Sequence, residues 1–142
     1  MTSDERSDRT LTMNTNTTRS YKDLVVWQKG IALAKLVYQF TKNFPSEEKF
    51  GLLAQMRRAA VSIPSNIAED QARYTTGEFI QFISHAEGSL AELDTQLILS
   101  IELKFCRDVG AEAAFELIAE LRRMLNVLRR KLASRRSGSM PA

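Results

Sequence analysis

Apolar residues recur along this chain at alternating steps of four and three. One series is Phe79, Ile83, Ala86, Leu90, Leu93 and Leu97; another is Ala114, Ile118, Leu121, Leu125, Leu128 and Leu132. Such spacing keeps one face of a helix apolar and is the heptad signature of bundles and coiled coils. It predicts a third helix opened by the capping box Thr75–Glu78 and running to about Lys104, and a fourth beginning near Asp108. Upstream, Leu24, Trp27, Ile31, Ala34 and Tyr38 predict a first helix over about 23–43 with that stripe as its main face. Leu33, Val37 and Phe40 fall off the stripe, so this helix is broadly apolar. Phe44-Pro45 ends it, because the residue before a proline is pushed out of the α region. Ser46 is then placed to cap a second helix over about 47–72, with Glu47 and Glu48 in its first turn where the dipole favours carboxylates.

Long helices with short connections favour antiparallel neighbours, so the expected fold is all-α: an antiparallel up-down four-helix bundle over 21–133. Residues 1–20, rich in Thr, Ser and Asn, are expected to be a disordered N-terminal tail, and 134–142 a basic flexible C-terminal tail. Translation from Met13 rather than Met1 would remove nothing the pattern reads as structural.

The second helix carries the chain's one local contradiction. Pro64 lies inside it without an N–H, and its ring crowds the carbonyl of Ala60, at a cost of about 3 kcal/mol in a helix interior. A helix that keeps such a residue must be kinked or compensated, and Ser62, Ser65 and Asn66 are the side chains at hand to bond the freed backbone groups.

Composition narrows the class. No run of eighteen apolar residues exists, so no transmembrane helix is expected, and the first twenty residues lack the apolar block of a secretory signal. Cys106 stands alone, which excludes an internal disulfide and fits a reducing compartment. A cytoplasmic location is therefore expected.

Chemistry is sparse. His85, the single histidine, shares a polar flank with Glu78, Ser89, Glu92 and Gln96, yet no third or fourth metal ligand lies at suitable spacing. The six glycines are not grouped, so neither a P-loop nor a dinucleotide fingerprint can be built. Cys106 has no CxxC partner. Arg57 and Arg58 are natural partners for Glu92 if the second and third helices are adjacent. No enzymatic activity, cofactor or metal is expected.

Charge is where function is legible. The formal net charge is +3, but Arg122, Arg123, Arg129, Arg130, Lys131, Arg135 and Arg136 fall within 122–136 without a carboxylate among them. This block makes the last helix, not the whole protein, basic. Arg122, Arg129 and Arg130 have no carboxylate at helical spacing within their own helix, whereas Arg123 can pair with Glu120. Guanidinium forks on a rigid helix suit phosphate oxygens. No aromatic residues interleave for base stacking, so binding of nucleic acid would be directed by backbone and shape. No large apolar residues sit on the basic face, which argues against a membrane partner. A solvated helix end, favourable to the dipole, is the plain alternative. Ala113, Leu117, Met124 and Val127 form a second stripe on this helix, and Gly88 removes bulk opposite the seam of the third. Both features favour self-association, although a wide core face accounts for them almost as well.

The runs Tyr21-Lys22-Asp23-Leu24-Val25-Val26-Trp27-Gln28-Lys29, Phe44-Pro45, Glu47-Glu48-Lys49-Phe50-Gly51-Leu52, Gln55 to Glu69, and Ala86-Glu87-Gly88-Ser89-Leu90-Ala91-Glu92-Leu93 resemble the bacterial four-helix-bundle family of 23S rRNA intervening-sequence proteins. Together they span about 21–105, and the run from Arg57 to Glu69 is the most specific. One departure is Asp70, where the family pattern usually has glycine. The resemblance implies a small helical bundle assembling as a ring, a homopentamer. It is also distantly similar to the accessory protein of diversity-generating retroelements, a pentameric bundle that binds nucleic acid and a reverse transcriptase. The expectation is thus a non-enzymatic oligomer that binds RNA or an RNA-containing complex through its basic last helix. The alternative is a protein-interaction scaffold, its partner a reverse transcriptase or a ribosome-associated protein.

Overall fold

The computed structural model describes the backbone of residues 21–71 and 76–138, and the side chains of 21–69 and 77–134. Four α-helices make up the fold: α1 (Val25–Thr41), α2 (Leu52–Gln71), α3 (Thr76–Glu102) and α4 (Asp108–Gly138). Single 3-10 turns at Tyr21–Asp23 and Ser46–Glu48 precede α1 and α2. Thr75, the expected cap of α3, and the tails at 1–20 and 139–142 lie outside the described residues. The backbone of α4 stays helical through Gly138, beyond the boundary expected at residue 133.

Each helix packs on the next, and α4 closes on α1. Contacts run in opposite directions along the pairs. On α1 and α2, Gly30 meets Pro64 while Thr41 meets Arg57. On α3 and α4, Asp94 meets Arg122 while Glu87 meets Arg129. The four-helix bundle expected from the heptad pattern is the fold observed.

The seams of α3 and α4 fill the core as their spacing predicts. Ile83, Ala86, Leu90, Leu93 and Leu97 are buried from α3, and Ala114, Ile118, Leu121, Leu125 and Leu132 from α4, while Phe79 and Leu128 pack at the margin. α1 is different. Its buried positions are Val26, Gly30, Leu33, Val37 and Thr41, so the core face is the one the sequence pattern left off the main stripe. Tyr38 is exposed, and Trp27, Ile31 and Ala34 form a half-buried flank against Val61, Pro64 and Ala68 of α2.

Two helix ends are built from local chemistry. α2 starts at Leu52, not near Glu47, and its cap is the Glu48 carboxylate, which accepts the Leu52 N–H at 3.0 Å. Ser46 makes no such cap; it belongs to the preceding 3-10 turn. α3 ends with Lys104 in the left-handed region at φ 65°. There the Lys104 N–H donates to the Ile101 carbonyl and the Phe105 N–H to the Ser100 carbonyl, both bonds 2.8–2.9 Å long. That pair of bonds is a Schellman motif, with lysine where glycine is usual.

Pro64 is held inside α2 by its surroundings. The Ser62 and Ser65 hydroxyls donate to the carbonyls of Ala59 and Val61, at 2.7 and 2.8 Å, on either side of the Ala60 carbonyl that loses its donor. The Ser62 hydroxyl is also hydrogen bonded to that of Ser89 on α3, at 2.7 Å. A serine placed to compensate the proline thus also joins two helices.

Candidate nucleic-acid interface

The basic block of α4 is divided by its neighbours into two sets. Arg122 and Arg129 stand seven residues apart, two helical turns, and so share the face of α4 that meets α3. Asp94 and Glu87 stand seven apart on α3, in the reverse order. Arg122 Nη2 lies 3.9 Å from Asp94 Oδ2, and Arg129 forms a close ion pair with Glu87 while donating to the Ser84 hydroxyl at 2.8 Å. The sequence shows correctly that these arginines have no partner on their own helix; their partners come from α3.

Arg123, Arg130 and Lys131 form the other set. All three are exposed, and none has a carboxylate partner among the described residues. Glu120, the partner expected for Arg123, instead pairs with Lys29 of α1 at 3.1 Å. The α4 backbone carries Arg135 and Arg136 into its last turns, but their side chains lie outside the described residues.

Beside the outward cations runs an apolar groove of about 400 Å³ between the start of α1 and the second half of α4. Leu24, Val25 and Val26 form one wall, Met124, Val127 and Leu128 the other, and Arg123 and Lys131 stand on it. Met124 and Val127 belong to the second apolar stripe of α4, and Val127 is 43% exposed, so the basic face is not free of large apolar residues, contrary to what the sequence pattern suggests. Gly88 faces open space, with no atom near the position its Cβ would take.

The other residues singled out in the sequence take structural positions. Arg57 does not reach Glu92: its Nε donates to Thr41 Oγ1 at 3.0 Å, and its guanidinium lies 4.5 Å from the Tyr38 ring centre. Glu92 instead accepts from Gln96 Nε2 at 3.2 Å. His85 is exposed, its ring edge-on to Phe82. No cluster of three potential metal ligands occurs among the described residues. Cys106 is half-buried, its sulfur 3.3 Å from the Ser100 hydroxyl. No helix among the described residues is long and apolar enough to cross a membrane.

Fold and surface together define a small all-α bundle with a divided basic helix. The family model for the 23S rRNA-intervening sequence protein matches residues 22–127, most of the chain, and the protein belongs to that family. Among curated proteins no match is found. The matched span takes in all of α1, α2 and α3 and most of α4, including Arg122 and Arg123.

Proposed function

We propose that this protein is a non-enzymatic cytoplasmic bundle that self-associates and binds structured RNA, or an RNA-containing complex, through the outward basic face of α4. The observation that carries this reading is that Arg123, Arg130 and Lys131 are exposed and without a carboxylate partner among the described residues. Cations held by carboxylates must first give up those partners to meet a phosphate; these three need not. Family membership supports an association with RNA, and the resemblance implies a ring, a pentamer. A ring repeats the basic face, so weak phosphate contacts would add as avidity. Arg122 and Arg129, tied to α3, act in this reading as bundle contacts first; Arg135 and Arg136 extend the charge along the helix.

The test is binding of a structured ribosomal RNA fragment to the wild-type protein and to Arg123→Glu/Arg130→Glu/Lys131→Glu. Loss of at least tenfold in affinity, with an unchanged circular dichroism spectrum and melting point, supports the assignment. Equal affinity refutes it.

A second reading rests on the groove between α1 and α4, whose apolar walls suit a protein segment. In that case the bundle is a scaffold for a reverse transcriptase or a ribosome-associated protein. A defined polypeptide that stays bound after nuclease treatment, and is lost in Val127→Asp, would favour it.

A further inference from the structure

The outer face of α4 reverses its charge halfway along. Its first half carries Asp108, Glu112, Glu116 and Glu120 at every fourth position, and no Lys or Arg occurs from 108 to 120. From Arg123 onward the same face carries Arg123, Val127, Arg130 and Lys131. At about 100° per residue these two sets fall in one sector, opposite the seam of Ala114, Ile118, Leu121, Leu125 and Leu132. Glu112, Glu116, Arg123, Arg130 and Lys131 are all exposed. Val109 and Val127, on the same sector, are 82% and 43% exposed.

The helix dipole accounts for only part of this order. Carboxylates in the first turn and cations in the last are stabilising, but the effect fades within those turns. Glu116 and Arg123 lie well inside α4. The acidic ladder moreover places like charges four residues apart, which weakens an isolated helix. Among the described residues only Glu120 of these four carboxylates has a cation partner, Lys29 of α1, so Glu112 and Glu116 are open to a cation from outside the bundle.

We propose that the outer face of α4 docks on the same face of a second copy, the two helices antiparallel about a two-fold axis between Leu121 and Arg122. In that register Glu112 stands opposite Lys131 of the second copy, and Glu120 opposite Arg123. Glu116 stands opposite Val127, between Arg123 and Arg130. Because the contact is isologous, every pair occurs twice. A parallel arrangement would stack like on like and is excluded by the same charges. This pairing is closed and distinct from a ring, so it joins bundles, or rings of bundles, two at a time. It does not rest on the RNA reading: a second copy and RNA compete for Arg123 and Lys131, which are open to phosphate only in the undocked bundle.

Zero-length carbodiimide coupling of a mixture of light and heavy-isotope protein tests the register directly. Glu112 and Lys131 of one helix are roughly 28 Å apart at 1.5 Å per residue, so a peptide linking them must come from two copies. We expect mixed-isotope Glu112–Lys131 links at low salt that fade at high salt. Charge swaps give the second arm: Glu112→Lys and Lys131→Glu should each lower the mass of the assembly, because each sets like charges opposite one another at both ends of the contact. Mixed one to one, the two variants should regain it, because Lys then again faces Glu at both ends. Absence of the mixed-isotope link, or wild-type mass in each swap variant alone, would overturn the proposal. Failure of RNA binding leaves both readouts untouched, so the two proposals fail separately.

Discussion

Gly30 of α1 lies against Pro64 of α2, so close that a Cβ on the glycine would sit 3.4 Å from the Cβ of the proline. Both residues are buried. The contact lies on the face of α1 that turns inward, where Val26, Leu33 and Val37 are buried with Gly30. It also gives the proline a packing partner where its ring interrupts the ladder of α2.

A graded series at Gly30 measures that contact. Gly30→Ala adds helix propensity, about 1 kcal/mol, against a contact at the edge of ordinary van der Waals distance. Its stability should therefore remain near wild type. Gly30→Leu must push the helices apart and should cost roughly 1–3 kcal/mol, as overpacked cores do. Urea denaturation of the three proteins reads both outcomes; a stable leucine variant would show that the helices do not press together here.

Lys104 occupies a left-handed position that costs an ordinary residue about 1–2 kcal/mol. Glycine avoids this cost but loses more chain entropy on folding, roughly 0.5–1 kcal/mol. Lys104→Gly is thus expected to stabilise by about 0.5–1 kcal/mol, visible as a higher melting temperature. Lys104→Val should lower it.

Gln96 is 6% exposed, and its side-chain oxygen has no hydrogen-bond partner. A buried unsatisfied acceptor costs about 1–3 kcal/mol. Gln96→Leu removes it at similar volume and is expected to stabilise the bundle by roughly 1 kcal/mol. Chemical denaturation showing a destabilised leucine variant would mean that the amide is satisfied in solution.

Much of this fold is legible in the sequence, and the exceptions have physical causes. The seams of α3 and α4 are readable because each runs unbroken at steps of four and three over five turns, although Ile98 and Leu99 of α3 and Leu117 and Val127 of α4 lie off them. That of α1 is not, since Leu24, Val25, Val26, Trp27, Ile31, Leu33, Leu36, Val37 and Phe40 surround it with apolar surface. Periodicity cannot choose among such faces; a small residue opposite a proline on another helix can. The start of α2 was misplaced because Ser46 is a good cap by type, whereas the cap used is a carboxylate reaching forward from Glu48. The basic block was visible, but its division was not. The matching seven-residue spacings of Asp94 and Glu87 and of Arg122 and Arg129 gain meaning only once α3 and α4 are set side by side.

That division predicts a gain of function. Glu87→Gln/Asp94→Asn leaves Arg129 and Arg122 without their carboxylates and should tighten RNA binding severalfold at low salt. Stability should change little, since partly exposed ion pairs contribute about 0–1 kcal/mol. A fluorescence anisotropy titration against the same RNA checks this, with unchanged or weaker binding as the contrary result.

The most direct test of RNA recognition is the affinity of the wild-type protein for a structured ribosomal RNA fragment across a salt series, with protein mass followed in the same samples. RNA recognition by this face predicts binding at low salt that falls steeply as salt rises, because phosphate contacts by Arg123, Arg130 and Lys131 release counterions. Absence of binding at low salt by folded protein of unchanged mass would contradict it, and would leave the face of α4 to a protein partner.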